Sequence, residues 1–259
     1  PILEYTPLSR FDESCPFFEQ CGVLACKTEI ENRARYRTRA HARLAPTRAA
    51  TMILAIVQAR MESTRLPGKA MLDLGGKPML WHVLMRVRQA TTLDQIILLT
   101  PWTDANEVLI PLAEHCGIEV IRSTPNNLLA SYLEAARSFD ASAIVRITAD
   151  CPLINPAVID QVVMAFLAPP PCDYAANVLH YTWPEGLDTE VLTMEALTRC
   201  EQLATALADR QHVTTYIRTH PEQFTLRSVE SPLRLGHLHW SVDTAQDFEM
   251  MRLLWPTNG

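Results

Sequence analysis

The sequence predicts an α/β fold, and three observations carry that reading. Short apolar runs suited to strands recur from Met52 onward: MILAIVQ, QIILLT, IEVIR and SAIVRIT. Amphipathic stretches of helical period separate them. The chain has 259 residues, 48% apolar and 20% charged, which is enough for a sizeable core with ordinary globular composition. Strand and helix alternating at this spacing argue for a mainly parallel sheet covered by helices.

In chain order, MILAIVQ opens the fold as a buried strand, and a Pro-Gly-punctuated loop follows from Gln58 to Leu72. Helices are expected over Met79 to Ala90, Ala105 to Cys116 and Asn127 to Phe139. They alternate with strands at QIILLT, IEVIR and SAIVRIT, and a further helix is expected over Pro156 to Phe166. Pro169, Pro170 and Pro171 then make a stiff turn, after which the alternation loosens. Near the end, Asp243 is read as closing a short strand, with Thr244 to Leu254 amphipathic behind it.

Residues 1–51 read differently. They hold eight Lys/Arg and six acids, and arginine alternates with small or polar residues from Asn32 to Arg48, without apolar periodicity. This is expected to be a poorly ordered leader outside the fold, with Met52 as the start of the domain that runs over 52–259. Its acids and its non-Met first residue suit a signal or transit peptide badly.

Formal net charge is −6, so nothing global points to nucleic acid or to anionic membranes, and only the Arg-rich leader would recommend the former. No apolar run approaches the roughly 20 residues of a membrane span. Seven cysteines with no C-x-x-C pair read as free thiols of a cytoplasmic protein. A zinc site at Cys15, Cys21 and Cys26 would need spacings that do not recur in such sites.

Ligands of open α/β sheets sit outside the carboxyl ends of the strands. The loop QARMESTRLPGKAML stands at such an end, with Arg60, Arg65 and Lys69 in ten residues and hydroxyls at Ser63 and Thr64. It is neither a Walker A loop nor a Rossmann fingerprint. Two guanidinium forks and an ammonium suit a phosphate chain, although charge alone also fits a solvated loop. Asp150, in ITADCPLI, suits a magnesium ion shared with that phosphate, or equally an N-cap. Asp243 admits the same two readings, with Asp247 as a first-turn acid.

Taken together, these segments resemble the cytidylyltransferases that activate acidic sugars. These are the CMP-ulosonic acid and CMP-acylneuraminate synthetases, together with the spore coat polysaccharide biosynthesis protein F branch. The resemblance runs from AIVQARMESTRLPGKAMLDLGGKPMLWHVLMRV through VRITADCPLI, DYAANVLHYTWPEGLDTEVLTMEAL and RQHVTTYIRTHPEQF to WSVDTAQDFEMM. It covers Met52 to Leu254, and ARMESTRLPGK is its most specific part.

The resemblance implies a nucleotide-diphospho-sugar transferase fold, with a mixed, mostly parallel sheet between helices. It implies a CTP site formed by Gln58, Arg60, Ser63, Thr64, Arg65 and Lys69, with Arg146 and Thr148 lining the base pocket. Asp150 and Asp243 would hold Mg2+. Asn177, Gly186, Asp188, Glu190 and His212 would shape the sugar side. Arg60, Lys69, Asp150 and Asp243 would carry the chemistry: a sugar hydroxyl attacks CTP, giving CMP-sugar and pyrophosphate for glycan or surface polysaccharide synthesis. CTP and a sugar are the implied partners, and a homodimer the implied assembly. Three departures stand out. Glu62 replaces a small residue, Ala149 a glycine, and Ala245-Gln246 a Pro-Glu. A glycosyltransferase of the same fold and a non-catalytic nucleotide-binding module are the rival readings. The first would expect D-x-D where Asp150-Cys151-Pro152 stands.

Overall fold

Strand β1 (Ile53–Gln58) is apolar on both faces, which places it at the centre of the molecule. Ile53, Ala55 and Val57 enter one core, and Leu54 and Ile56 enter another, as the alternation of a strand requires. A strand buried on both sides needs helices on both sides. The computed structural model describes residues 51–124 and 127–255. The leader expected over 1–51, Thr51 apart, and the cysteines Cys15, Cys21 and Cys26 lie outside the described residues.

Parallel to β1 run β2 (Gln95–Pro101) on one side and β4 (Ala143–Thr148) on the other, with β3 (Glu119–Ser123) parallel beyond β2. Three short strands, β5 (Tyr174–Ala176), β6 (Glu190–Thr193) and β7 (Leu226–Ser228), complete a seven-stranded sheet of order β3-β2-β1-β4-β6-β5-β7. β6 is antiparallel to β4 and to β5, and the other pairings are parallel. The mixed, mostly parallel α/β sheet is therefore as expected. Because β2 and β4 flank β1, the chain reverses its direction of winding there, opening a crevice at the carboxyl end of β1.

Helices α1 (Met79–Val87), α2 (Leu109–His115) and α4 (Pro156–Leu167) bury their apolar sides in the first core. Helix α3 (Leu128–Ser138) lies in the second with α5 (Met194–Leu203) and α7 (Thr215–Thr219), while the short α6 (Leu207–His212) is solvated. α1 ends three residues early, at Val87, and turns through Gln89 and Ala90. α2 begins at Leu109, not Ala105. Pro111 has no N–H for the Glu107 carbonyl and its ring crowds that carbonyl, so residues 104–106 form a 3-10 turn instead.

The last helix, α8 (Ala245–Arg252), packs Phe248 and Met251 on Leu74, Met79 and Val242 in a third, small core. Leu66 and Leu72 of the cationic loop lean on the same cluster. This patch ties residues 66–79 to the far end of the chain. The segment before Asp243 is not the expected strand. It makes a single isolated bridge, His239 to Glu185.

Among the described residues, Cys116, Cys151, Cys172 and Cys200 are buried free thiols. No helix described is long and apolar enough to cross a membrane.

Candidate active site

The cationic loop leaves β1 at the crevice and is fixed at both ends. Ala59 donates to the Leu99 carbonyl at 3.1 Å, and Met61 donates to the Asn106 side chain at 2.8 Å. Gly68, at φ +72°, turns the chain into a 3-10 turn that begins with Lys69, and a left-handed turn of this kind favours glycine. Lys69 therefore points back under the loop with only 13% of its side chain exposed.

Its ammonium reaches Asp150 Oδ2 at 2.9 Å, Asp243 Oδ1 at 3.1 Å and the Val242 carbonyl at 2.8 Å. Arg65 meets the same Asp243 oxygen at 2.8 Å from a much more exposed position. Two cations and two carboxylates from three distant parts of the chain thus converge on one point. Burial pushes the Asp150 carboxyl up, but the Lys69 ammonium and its hydrogen bonds outweigh that and hold it below the usual range.

Neither aspartate is a helix cap. Asn155 caps α4, accepting from Ala157 at 2.9 Å with Pro156 behind it. Thr244 caps α8 in a reciprocal capping box with Asp247. The cap alternatives for Asp150 and Asp243 are therefore excluded.

Glu62 is held by Thr103 and Asn106, within electrostatic reach of Arg60. Its carboxylate accepts from the Thr103 hydroxyl and from Asn106 Nδ2, at 3.1 and 2.9 Å to its two oxygens. Although what burial it has pushes its carboxyl up, these bonds lower it on balance. The fully buried Asn106 grips residues 61 and 62 at once. Sequence reasoning missed Asn106 and Thr103, since nothing local marks them. Among the described residues, the side chains of Arg60, Ser63 and Thr64 have no hydrogen-bond partner, and Arg60 and Thr64 are exposed.

The expected base-pocket pair separates. Thr148 lies beside Cys151, hydroxyl to sulfur 3.4 Å. Arg146 is buried and clamped to Glu190, which also accepts from Tyr174. Burial opposes both charges, yet each ion holds the other charged. Next to this pair, Gln58 accepts from Tyr132 at 2.9 Å. Asn177, fully buried, has its amide engaged with Leu187 and Thr189, both at 2.8 Å. It shapes the 187–189 loop from behind, as Glu190 does. His212 stands exposed at the end of α6. Gly186 and Asp188 lie on a loop stitched to residues 238 and 240, with Gly186 buried against that segment and the Asp188 charge acting on Cys151, beside Asp150.

The cytidylyltransferase family profile matches residues 54–255, essentially the whole described fold. This chain belongs to that family. The cytidylyltransferase is 31% identical over 222 residues to the spore coat polysaccharide biosynthesis protein SpsF of Bacillus subtilis, covering 80% of this chain and 88% of that one. It is 39% identical over 119 residues to 3-deoxy-manno-octulosonate cytidylyltransferase of Trichlorobacter lovleyi, 46% of each chain. Among solved structures, a cytidylyltransferase from Leptospira borgpetersenii superposes with a TM-score of 0.76 at 28% identity, covering 78% of this chain and 85% of that one.

The donor set of the cytidylyltransferase suits a hard divalent cation. Two carboxylate oxygens already converge within 3.1 Å of one cationic nitrogen. Two carboxylates fall short of the six oxygens that magnesium prefers, which leaves places for phosphate oxygens and water. Among the described residues no cluster of three or more His, Cys, Asp and Glu competes for such an ion.

Proposed function

We propose that this cytidylyltransferase transfers the CMP moiety of CTP to a hydroxyl of an acidic or modified sugar, releasing pyrophosphate, for surface polysaccharide synthesis. The convergence of Lys69, Arg65, Asp150 and Asp243 at the mouth of β1 carries the reading. Similarity to a polysaccharide protein and to a sugar-acid cytidylyltransferase supports the acceptor class.

Arg60, Arg65, Ser63 and Thr64 grip the β- and γ-phosphates, and Lys69 lies under the α-phosphate. Attack is in line, so most of the acceleration comes from positioning and charge neutralisation. Asp150 and Asp243 would hold Mg2+, which would supply neutralisation of phosphate charge and polarisation of its oxygens. When the triphosphate enters, Lys69 exchanges carboxylate partners for phosphate oxygens, remaining in the same buried position. The sugar binds along the 184–190 loop, whose shape Asn177 and Glu190 set from behind. Gln58 and Thr148, at the ends of β1 and β4, border the nucleoside.

The test is pyrophosphate release from CTP, ATP, GTP and UTP against a panel of acidic sugars that includes 3-deoxy-manno-octulosonate and N-acetylneuraminate. The expected outcome is release with CTP and at least one sugar, dependent on magnesium. Binding of CTP without release across the panel would favour the non-catalytic reading. Preference for another nucleoside triphosphate would overturn the base assignment.

A further inference from the structure

We propose that Asp188 is the proton acceptor of the reaction, taking the proton of the sugar hydroxyl as that oxygen attacks the α-phosphorus of CTP. The assignment rests on the cytidylyl-transfer reading above.

Geometry brings Asp188 to the reacting edge in two ways. β4 and β6 pair antiparallel with Arg146 opposite Glu190. Asp188 lies two residues before that last pair, and its charge acts on Cys151, the residue next to Asp150. Its loop is also fused to the segment that carries Asp243. Glu185 donates to the Leu238 carbonyl at 3.0 Å, and Trp240 donates to the Glu185 carbonyl at 2.7 Å. Gly186, at φ +103°, lies so close to the backbone of Trp240 and Ser241 that a β-carbon would come within 2.6 Å. The next residue, Val242, supplies the carbonyl that holds Lys69.

Asp188 is the carboxylate at this edge that the fold leaves available. Asp150 and Asp243 are bound to Lys69, Glu190 to Arg146, Glu185 to His239, and Glu62 to Thr103 and Asn106. Asp188 has one long bond, from the Gly186 N–H at 3.4 Å, and no salt bridge among the described residues, Arg146 acting on it from beyond that distance.

The groups around it are Glu185 on its own loop, Glu190 of β6, Arg146 of β4, Cys151 after β4 and Tyr181 before the loop. Burial, with Glu190 and Glu185 adding to it against the Gly186 N–H and Arg146, pushes the Asp188 carboxyl up to about 6. A base near the working pH combines a large ionised fraction with useful proton affinity. In the step, a lone pair of the hydroxyl oxygen forms the bond to the α-phosphorus. The bond from that phosphorus to the bridging oxygen breaks, and pyrophosphate leaves with its electron pair. The hydroxyl proton moves to the Asp188 carboxylate, which later returns it to solvent.

The same environment leaves a mark on stability. Between the ordinary carboxylate range and pH 6 the folded state binds more protons at this site than the unfolded state, so its contribution to stability falls as pH rises. An amide at 188 removes that loss.

The experiment compares wild type with Asp188→Asn and Asp188→Glu from pH 5 to 8. It follows pyrophosphate release with MgCTP and the sugar panel, CTP binding by calorimetry, and thermal melting. Wild-type kcat/KM, which reports groups of the free enzyme, is expected to rise with pH through a midpoint near 6. Asp188→Asn should lower kcat roughly 100-fold or more, lose that limb, keep its affinity for CTP within about threefold, and melt no lower than wild type at pH 7. Asp188→Glu should keep the limb with reduced kcat. The assignment is overturned if Asp188→Asn stays within about threefold of wild type in kcat, keeps the limb, or loses activity and melting temperature together. A wild type that neither binds CTP nor releases pyrophosphate with any sugar overturns the transfer reading, and this assignment with it.

Discussion

With its ammonium shared between two carboxylates and a carbonyl, Lys69 makes the densest set of contacts at the crevice. Removing it takes away a preorganised positive charge from a half-buried site, and the typical cost of one such contact is on the order of 100-fold in turnover. Lys69→Ala should therefore lower kcat for pyrophosphate release by ~100-fold, with a smaller change in KM. Arg146 belongs to a different class of residue. Its guanidinium neutralises a fully buried Glu190, so Arg146→Met leaves that carboxylate unpaired. The expected loss is about 3–5 kcal/mol of folding stability, read from the denaturant midpoint. Asp150 and Glu190 both have folded-state carboxyls held below their usual range. The stability they contribute is full above about pH 5 and is lost as pH falls through their folded values. A melting temperature that does not drop between pH 5 and pH 3 would refute this. At this scale the sequence showed Lys69, Arg65 and Asp150, because charge at a strand end is conspicuous, and Asp243 as well, although the strand expected before it does not form. It concealed that Arg146 and Asn177 are used internally, because their partners lie 44 and 10–12 residues away.

The loop after β1 depends on an element it does not touch in sequence. Asn106, in the 3-10 turn after β2, holds the Met61 N–H and the Glu62 carboxylate together. Asn106→Leu removes both, leaving the Met61 N–H without this partner and Glu62 with Thr103 alone, which costs about 1–3 kcal/mol at the Met61 N–H. Part of that should appear as weaker CTP binding, roughly tenfold by calorimetry, for a fold that stays intact. The question raised by Glu62 among three cations is answered here: its carboxylate is an anchor for the loop, facing Thr103 and Asn106. Helix positions were legible because their apolar period is strong. Their ends were less so, since Pro111 shortens α2 and the capping residues are Asn155 and Thr244, each close to an aspartate that looked like a cap.

Over the whole molecule, the strands of the first half were readable and those of the second half were not, for a physical reason. β1 to β4 are apolar runs of five to seven residues that stack in parallel around a single switch point. β5, β6 and β7 are only three or four residues long, so no local period announces them. Those short strands nevertheless bring the 184–190 loop to the mouth of β1, and the small core under α8 brings Asp243 there. The central claim is that these separate pieces form one cytidylyl-transfer site. Pyrophosphate release from MgCTP with the acidic-sugar panel, run on wild type and Asp150→Asn side by side, tests it most directly. The account predicts release by wild type with CTP, and in the variant a loss of roughly 100-fold together with a weakened response to magnesium. Equal release by both proteins at every magnesium concentration would contradict it.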